Sequence, residues 1–294
     1  MSQTINYAII GCGRLGSNLA FYLKKAGHKV MGISTRHIKS VQSVNKFIQA
    51  KVIDTEPWKV TLSANVIFIT TPDDLIEKTC QQLIDHNGLK PNTTIYHCSG
   101  SLSSNVLSVA KKIGSHVGSF HPLQSFPIPH IEPNPFEDIY ISVEGDPFAV
   151  ELGKKLVADL NAKDVVISTN GKKLYHAAAV VASNYLVTLL DMAKQLNMEA
   201  GISENLALTV LKPLIHGTLK NIEKQGIPKA LTGPISRGDI QTVQDHIQNI
   251  QQLLPEFLKL YQTLGIQTIP IAKAQKNISN ETAILLSKSL NISL

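Results

Sequence analysis

Along the first half of the chain, short β-branched and apolar runs alternate with segments whose apolar positions recur every three or four residues. The runs at 5–10, 29–34, 66–71, 93–98, 116–121, 139–143 and 165–168 predict strands. Between the first two, Leu15, Leu19, Leu23 and Ala26 share a helical face, and Gly27 follows as a stop signal. Segments 73–86 and 146–160 predict further helices, the first with Asp73 after Pro72 as its N-cap. Strand, helix, strand in this rhythm implies an α/β fold with a doubly wound, mostly parallel sheet. After Ser168 the pattern changes. Residues 172 to about 197 read as one long helix, and the remainder is helical, punctuated by Gly201, Pro213, Gly226, Gly233 and Pro255. A sheet domain over 1–168 followed by an all-α C-terminal domain over 169–294 is therefore expected. The stretch 122–136 holds five of the 14 prolines and predicts a long, stiff loop, a type of segment that often serves function.

Composition narrows the class. The 294 residues are 43% apolar and 17% charged, which suits about two globular domains. No uninterrupted apolar run reaches the roughly 18–20 residues of a membrane span. The nearest, 177–190, is broken by Ser183, Asn184 and Thr188 and reads as a buried helix, so no membrane association is expected. The chain opens on a strand and a glycine loop without a basic-then-apolar leader. Cys12, Cys80 and Cys98 are far apart, which excludes a disulfide scaffold and argues against a metal site. A cytoplasmic protein is expected. The net charge of +6 raises nucleic acid as a partner, but the lysines are dispersed without a basic run, so none is expected. Only three of the 28 basic residues are arginine: Arg14, Arg36 and Arg237. Arginine grips anionic oxygens with a fork of donors, so its rare positions matter.

Gly11-Cys12-Gly13-Arg14-Leu15-Gly16 is a GxGxxG loop between an apolar strand and an amphipathic helix. In that context the first glycine permits a tight turn and the second admits a pyrophosphate close to the backbone. The third lets the helix pack on the strand, with its N-terminus facing the phosphates. About 20 residues on, an NAD enzyme carries Asp or Glu against the ribose hydroxyls. Here Ser34-Thr35-Arg36 stands instead, followed by His37, so a 2′-phosphate is accommodated and NADP(H) is the expected cofactor. Arg14 either adds to that charge or is a solvated residue of the first turn, and Cys12 is a small side chain in a tight loop.

Ligands of a doubly wound sheet bind beyond the carboxyl ends of the strands. Thr71 and Pro72, Ser99 and Gly100, and His121 fall there. The small residues let the backbone pass near a cofactor, with turn and cap chemistry (Asp73, Ser101) as the alternative. His121 either orients substrate and moves a proton or is a hydrogen-bonded cleft residue.

GCGRLG, TTPDD, HCSGS, GSFHPLQSF, LYHAAAVVASNYL and LTGPISRGD together resemble a family of bacterial proteins that pairs an NADP-binding Rossmann-like domain with a helical domain of unknown function. The match spans nearly the whole chain. That family is similar to ketopantoate reductase, pyrroline-5-carboxylate reductase, prephenate dehydrogenase and the 6-phosphogluconate and β-hydroxyacid dehydrogenases. The resemblance implies a 6-phosphogluconate-dehydrogenase-like helical C-terminal domain that dimerises and helps build the active-site cleft. The hydroxyacid dehydrogenases and ketopantoate reductase carry a catalytic Lys and, four residues later, an Asn on the first helix of that domain. Here Lys172 is followed by His176, and Lys173 by Ala177, so the lysine mechanism does not transfer directly.

On a continuous helix, Lys172, His176 and Ser183 would fall within about 20° of one stripe, with Asn184 about one residue step away. The stripe reads either as cleft-facing or as a buried hydrogen-bonded group. Arg237 either clamps a substrate anion or forms a structural ion pair, and Asp239 caps the helix that follows. The expected activity is hydride transfer between NADP(H) and a carbonyl or imine carbon of a small, anionic metabolite. His176 leads as proton donor or acceptor, with His121 second. Ser183 and Asn184 would orient the reacting group, and Arg237 would anchor the anion. A homodimer through the helical domain is expected. The competing reading is a non-catalytic NADP(H)-binding sensor or regulatory dimer. A deazaflavin as second redox partner has no residue to support it.

Overall fold

The computed structural model describes residues 4–129 and 132–290. Eight strands form one sheet: β1 (Asn6–Ile10), β2 (Lys29–Ser34), β3 (Val52–Asp54), β4 (Val66–Ile69), β5 (Thr94–His97), β6 (His116–Pro122), β7 (Tyr140–Gly145) and β8 (Lys163–Val166). Their order is β3-β2-β1-β4-β5-β6-β7-β8. The first six strands are parallel, β7 runs antiparallel to β6, and β8 is parallel to β7. The chain reverses its winding between β1 and β4, which opens a crevice beyond their carboxyl ends.

The helices are α1 (Arg14–Lys25), α2 (Ile38–Ile48), α3 (Pro57–Thr61), α4 (Asp73–Asp85), α5 (Pro147–Asp159), α6 (Lys172–Ala182), α7 (Asn184–Glu199), α8 (Glu204–Ala207), α9 (Lys212–Gln225), α10 (Ile227–Ala230), α11 (Pro234–Arg237), α12 (Ile240–Leu253), α13 (Leu258–Ala274) and α14 (Asn280–Leu290). The chain divides into two compact units between Ala182 and Ser183. In the first, Leu19 and Leu23 of α1 pack with Tyr7, Ile9 and Phe68 on one face of the sheet. Ile76, Cys80 and Leu83 of α4 pack with Ile67, Ile95 and Val117 on the other. Such fully buried aliphatic side chains each contribute about 1.5–3 kcal/mol. Gly27 ends α1 at φ +96°, where an L side chain is strained. In the second unit, Val243, Ile247 and Ile250 of α12 pack with Leu258 and Ile269 of α13 and Leu286 of α14.

Several expectations need correction. Asp73 is the first residue of α4 and not its N-cap, a position held by Pro72. β3, α2 and α3 were not foreseen: β3 has only three residues, although Val41, Val44 and Ile48 do recur at helical spacing on α2. The single helix expected from residue 172 is interrupted at Ser183, whose φ of −116° departs from the ideal helical value although its carbonyl still accepts from the Val187 amide. Serine and asparagine compete for backbone hydrogen bonds and are poor helix-interior residues. Lys172 and His176 stay on α6, whereas Ser183 stands at the junction between α6 and α7 as the first residue of the second unit. Finally, 177–190 is not a buried helix but exposed over most of its length. Thr169–Glu199 is long and apolar enough by length and composition to cross a membrane, with only 6% of its most apolar window buried. Periodicity identifies an apolar face but not what covers it. In the proline-rich loop, His130 and Ile131 lie outside the described residues.

Candidate functional site

Beyond the ends of β1, β2 and β4 lies a cleft of about 840 Å³. The Ser34 carbonyl accepts from the amides of Gly11 (2.8 Å) and Cys12 (3.2 Å), pinning the glycine loop to the end of β2. Thr70 Oγ1 donates to the Gly11 carbonyl at 2.7 Å and holds the loop from the β4 side. The three glycines differ in why they are needed. A methyl on Gly11 would lie 2.8 Å from the Thr71 amide nitrogen, and one on Gly16 would strike Thr70 and the Gly11 carbonyl. Protein packing alone demands both. Gly13 is different: its φ of −77° suits any residue, and a methyl there would approach only the Gly11 carbonyl, at 3.9 Å. The space at Gly13 is left open to the cleft.

Gly13 caps α1 without a side-chain hydrogen bond, and no acidic residue stands in its first turn. The first-turn amides therefore remain available to an anion. Thr71 Oγ1 is buried in the cleft wall and unpartnered. Ser34, Thr35, Arg36 and His37 line the cleft's outer end, with Arg36 exposed. Arg14 is exposed on the first turn of α1, and Leu15 is half-buried. Burial pushes the Cys12 thiol up, so it stays protonated.

A second group of polar side chains sits at the ends of β5 and β6. On one face of the sheet, Ile67, Ile95 and Val117 stand in register. Two residues further along, the same strands present Ile69, His97 and Ser119, continued on β7 by Glu144. The apolar core thus turns polar within one pleat. Lys172, at the start of α6, is buried to 1% exposure, and its Nζ donates to Ser119 Oγ at 2.5 Å. The Glu144 carboxylate, 1% exposed, accepts from the Ser104 amide (2.8 Å), Ser104 Oγ (2.7 Å) and Thr169 Oγ1 (2.8 Å).

One pleat beyond Ser119, His121 Nδ1 and the Tyr175 hydroxyl share a hydrogen bond of 3.1 Å. A methyl on Gly100 would lie 2.8 Å from His121 Nε2 and 2.6 Å from His176 Nδ1. Two imidazole nitrogens therefore converge over Gly100, and that of His176 is buried without a partner. Burial and the Lys172 cation bring His121 and His97 down to about 4, so both are neutral at pH 7. Burial brings Lys172 down to about 8, opposed by Glu144, Cys98 and Asp73. Among the described residues no cluster of His, Cys, Asp or Glu could hold a metal ion.

Of the residues expected in the site, the structure brings together His121, His176 and Gly100 in one place, and Gly11–Gly13, Ser34–Arg36, Thr71 and Pro72 in the other, while Arg14, Leu15 and Gly16 are not among the residues lining that cleft. Ser99 turns away to a knot: its hydroxyl donates to Asp73 and accepts from the amides of Ser101 and Leu102. Ser183 and Asn184 are exposed at the break between α6 and α7, and Arg237 is exposed at the end of α11; all three belong to the second unit. Asp239 caps α12 as expected, accepting from the Thr242 amide. Sequence reading gave no role to Ser119, Tyr175 or Glu144 and set Lys172 aside. The available signal was the alternation of polar residues in otherwise apolar strands, Ser119 and His121 in β6 and Ser142 and Glu144 in β7.

Comparison with known proteins bears on this architecture. Residues 2–122 match the model of a Rossmann-like domain, and residues 139–268 match that of a domain of unknown function, DUF2520. No curated protein matches the sequence. A Thermotoga maritima protein is 27% identical with a TM-score of 0.72, over 92% of this chain and 99% of that one. A Bacteroides fragilis protein described as a candidate NADP oxidoreductase is 21% identical with a TM-score of 0.71, over 94% and 99%. A reductive aminase from Aspergillus terreus, solved with NADPH and ethyl levulinate, is 14% identical with a TM-score of 0.63, over 97% and 99%. Along the chain, the match to the Rossmann-like model is thus followed by the match to the DUF2520 model.

Proposed function

We propose that the protein is an NADP(H)-dependent oxidoreductase acting on a carbonyl or imine carbon of a small, anionic metabolite. The observation that carries the reading is Gly13. Neither its backbone nor its neighbours require glycine, yet it stands where a diphosphate would meet the first-turn amides of α1. Thr71 Oγ1, buried and unpartnered, supplies a polar contact in the same cleft. Arg36, with Ser34 and Thr35 beside it and no carboxylate in place of the ribose ligand, suits a 2′-phosphate. NADPH is bound in the Aspergillus reductive aminase, whose fold this chain shares.

When bound, NADP(H) would supply or accept the hydride. The chain's own residues would handle the proton. If the Tyr175 hydroxyl donates to His121 Nδ1, Nε2 carries the hydrogen and points over Gly100 toward a substrate oxygen or nitrogen. His176 Nδ1 closes on the same point and is the second group able to hold or move that proton. A sensor without catalysis would use the cofactor cleft equally well, but it gives no use to the unpartnered His176 nitrogen. The test is NADPH oxidation across a panel of keto acids and imines, with loss of turnover in His176→Ala. Binding of panel members without any NADPH oxidation would favour the sensor.

For assembly we infer a homodimer built on the exposed apolar helical stretch Thr169–Glu199, where Leu174 is 79% and Val187 68% exposed. Val187→Asp should halve the mass seen by light scattering. A wild-type monomer, or partition into detergent, would contradict the dimer.

A further inference from the structure

We propose that Lys172 is a positioning residue: with Glu144 it forms a buried charge couple that sets the charge state of the His121 imidazole. The inference rests on the reading of His121 as the proton-handling group. Lys172 Nζ donates to Ser119 Oγ at 2.5 Å and lies 5.7 Å from the centre of the Tyr175 ring, and the side chain is 1% exposed, so it offers almost no surface to a substrate. Ser119 sits two residues before His121 on the same face of β6, flanked in register by His97 of β5 and Glu144 of β7. Glu144 accepts three hydrogen bonds from Ser104 and Thr169, which fix its carboxylate beside the row.

A cation in a buried setting opposes a second positive charge nearby, whereas a carboxylate favours keeping the first. The groups facing His121 are Lys172 and His176 from α6, His97 from β5 and Asp73 from the first turn of α4. Tyr175 binds it directly, and Ser142 of β7 lies opposite it in register. Of these, Lys172 is the largest charge acting against protonation of the ring, and Asp73 acts the other way. Glu144 is the first of the groups that favour the lysine cation. The couple therefore has one anion to retain the cation, and one cation that adds to burial in keeping two imidazoles neutral. His121 then works as a neutral hydrogen-bond donor whose N–H is not replaced by an imidazolium at neutral pH.

The experiment is a proton NMR titration of the His121 ring signal in the full-length protein, assigned by its loss in His121→Asn. In the wild type the signal should titrate with a midpoint of about 4. In Lys172→Met it should titrate about one pH unit or more higher, with the His97 signal moving in the same direction. Glu144→Gln should not raise the His121 midpoint, and should move the lysine's own titration, read by ¹³C at Cε, to below about 8. Should Lys172→Met alone fail to fold, the double variant Lys172→Met/Glu144→Gln, which buries no lone charge, should show the same upward shift of His121. An unchanged His121 midpoint in either lysine variant, with native circular dichroism, would overturn the proposal. No substrate is used, so failure to find turnover would count against the catalytic reading and leave this result to stand or fall alone.

Discussion

The two candidate site regions of the first unit are built by opposite means. The glycine-loop cleft is made of backbone: amides at the start of α1, a carbonyl at the end of β2, and an open space where a side chain is missing. The group over Gly100 is made of side chains that strand register and one helix bring together from residues 97 to 176. The first needs only a local run of six residues and an arginine 20 positions on. The second needs β5, β6, β7 and α6 in place at once. A backbone site presents fixed partial charges that recognise an anion whatever the pH. A side-chain site can hold and move protons, at the cost of burying ionisable groups.

The contrast can be broken most sharply at the side-chain site. His121→Asn and His176→Ala should each reduce turnover by about 10²–10⁴-fold while leaving NADPH affinity unchanged, because general acid–base groups contribute on that order. A parallel loss of cofactor binding would show that the two regions are not separate. Next in size is Gly13→Asp. It should weaken NADPH about 100-fold or more, a loss of about 2.8 kcal/mol, with an unchanged melting temperature, since nothing in the protein objects to a side chain there. A variant that melts early would mean the glycine serves the fold.

Acid sensitivity separates the regions in another way. His97 and His121 are held near 4 in the folded chain against 6.5 when free. Between those values the unfolded chain binds protons that the folded chain does not, so stability is full above about pH 6.5 and falls as the pH drops toward 4. Urea melts at pH 7, 5.5 and 4.5 should show this loss, and His97→Gln should flatten it. An acid profile that His97→Gln leaves unchanged would place the sensitivity elsewhere. The smallest effect lies in the second unit: Asp239→Ala removes the cap of α12 and should cost about 1 kcal/mol in chemical unfolding.

How far each feature could be read along the chain follows the same division. β2 runs from Lys29 to Ser34 as the residue pattern indicates, and Gly27 and Asp239 mark the end of α1 and the start of α12 as local chemistry requires. The glycine loop and Arg36 are equally local. Lys172 and Glu144 are not: neither has a neighbour in sequence that reveals its burial, and their meeting at Ser119 depends on which residues the strands place side by side. Ser183 failed for a related reason, since a helical spacing cannot register a break that one residue's backbone introduces. The exposed face of Thr169–Glu199 shows a third limit, because an apolar stripe carries no label for its partner.

Isothermal titration calorimetry with NADPH and NADH, on the wild type and on Arg36→Ala, tests the central claim most directly. NADPH should bind the wild type more tightly than NADH, and Arg36→Ala should weaken NADPH by about 10–100-fold, the loss of a charge-assisted contact, while leaving NADH unaffected. Absence of heat with both coenzymes, or equal affinity for the two in the wild type, would contradict it.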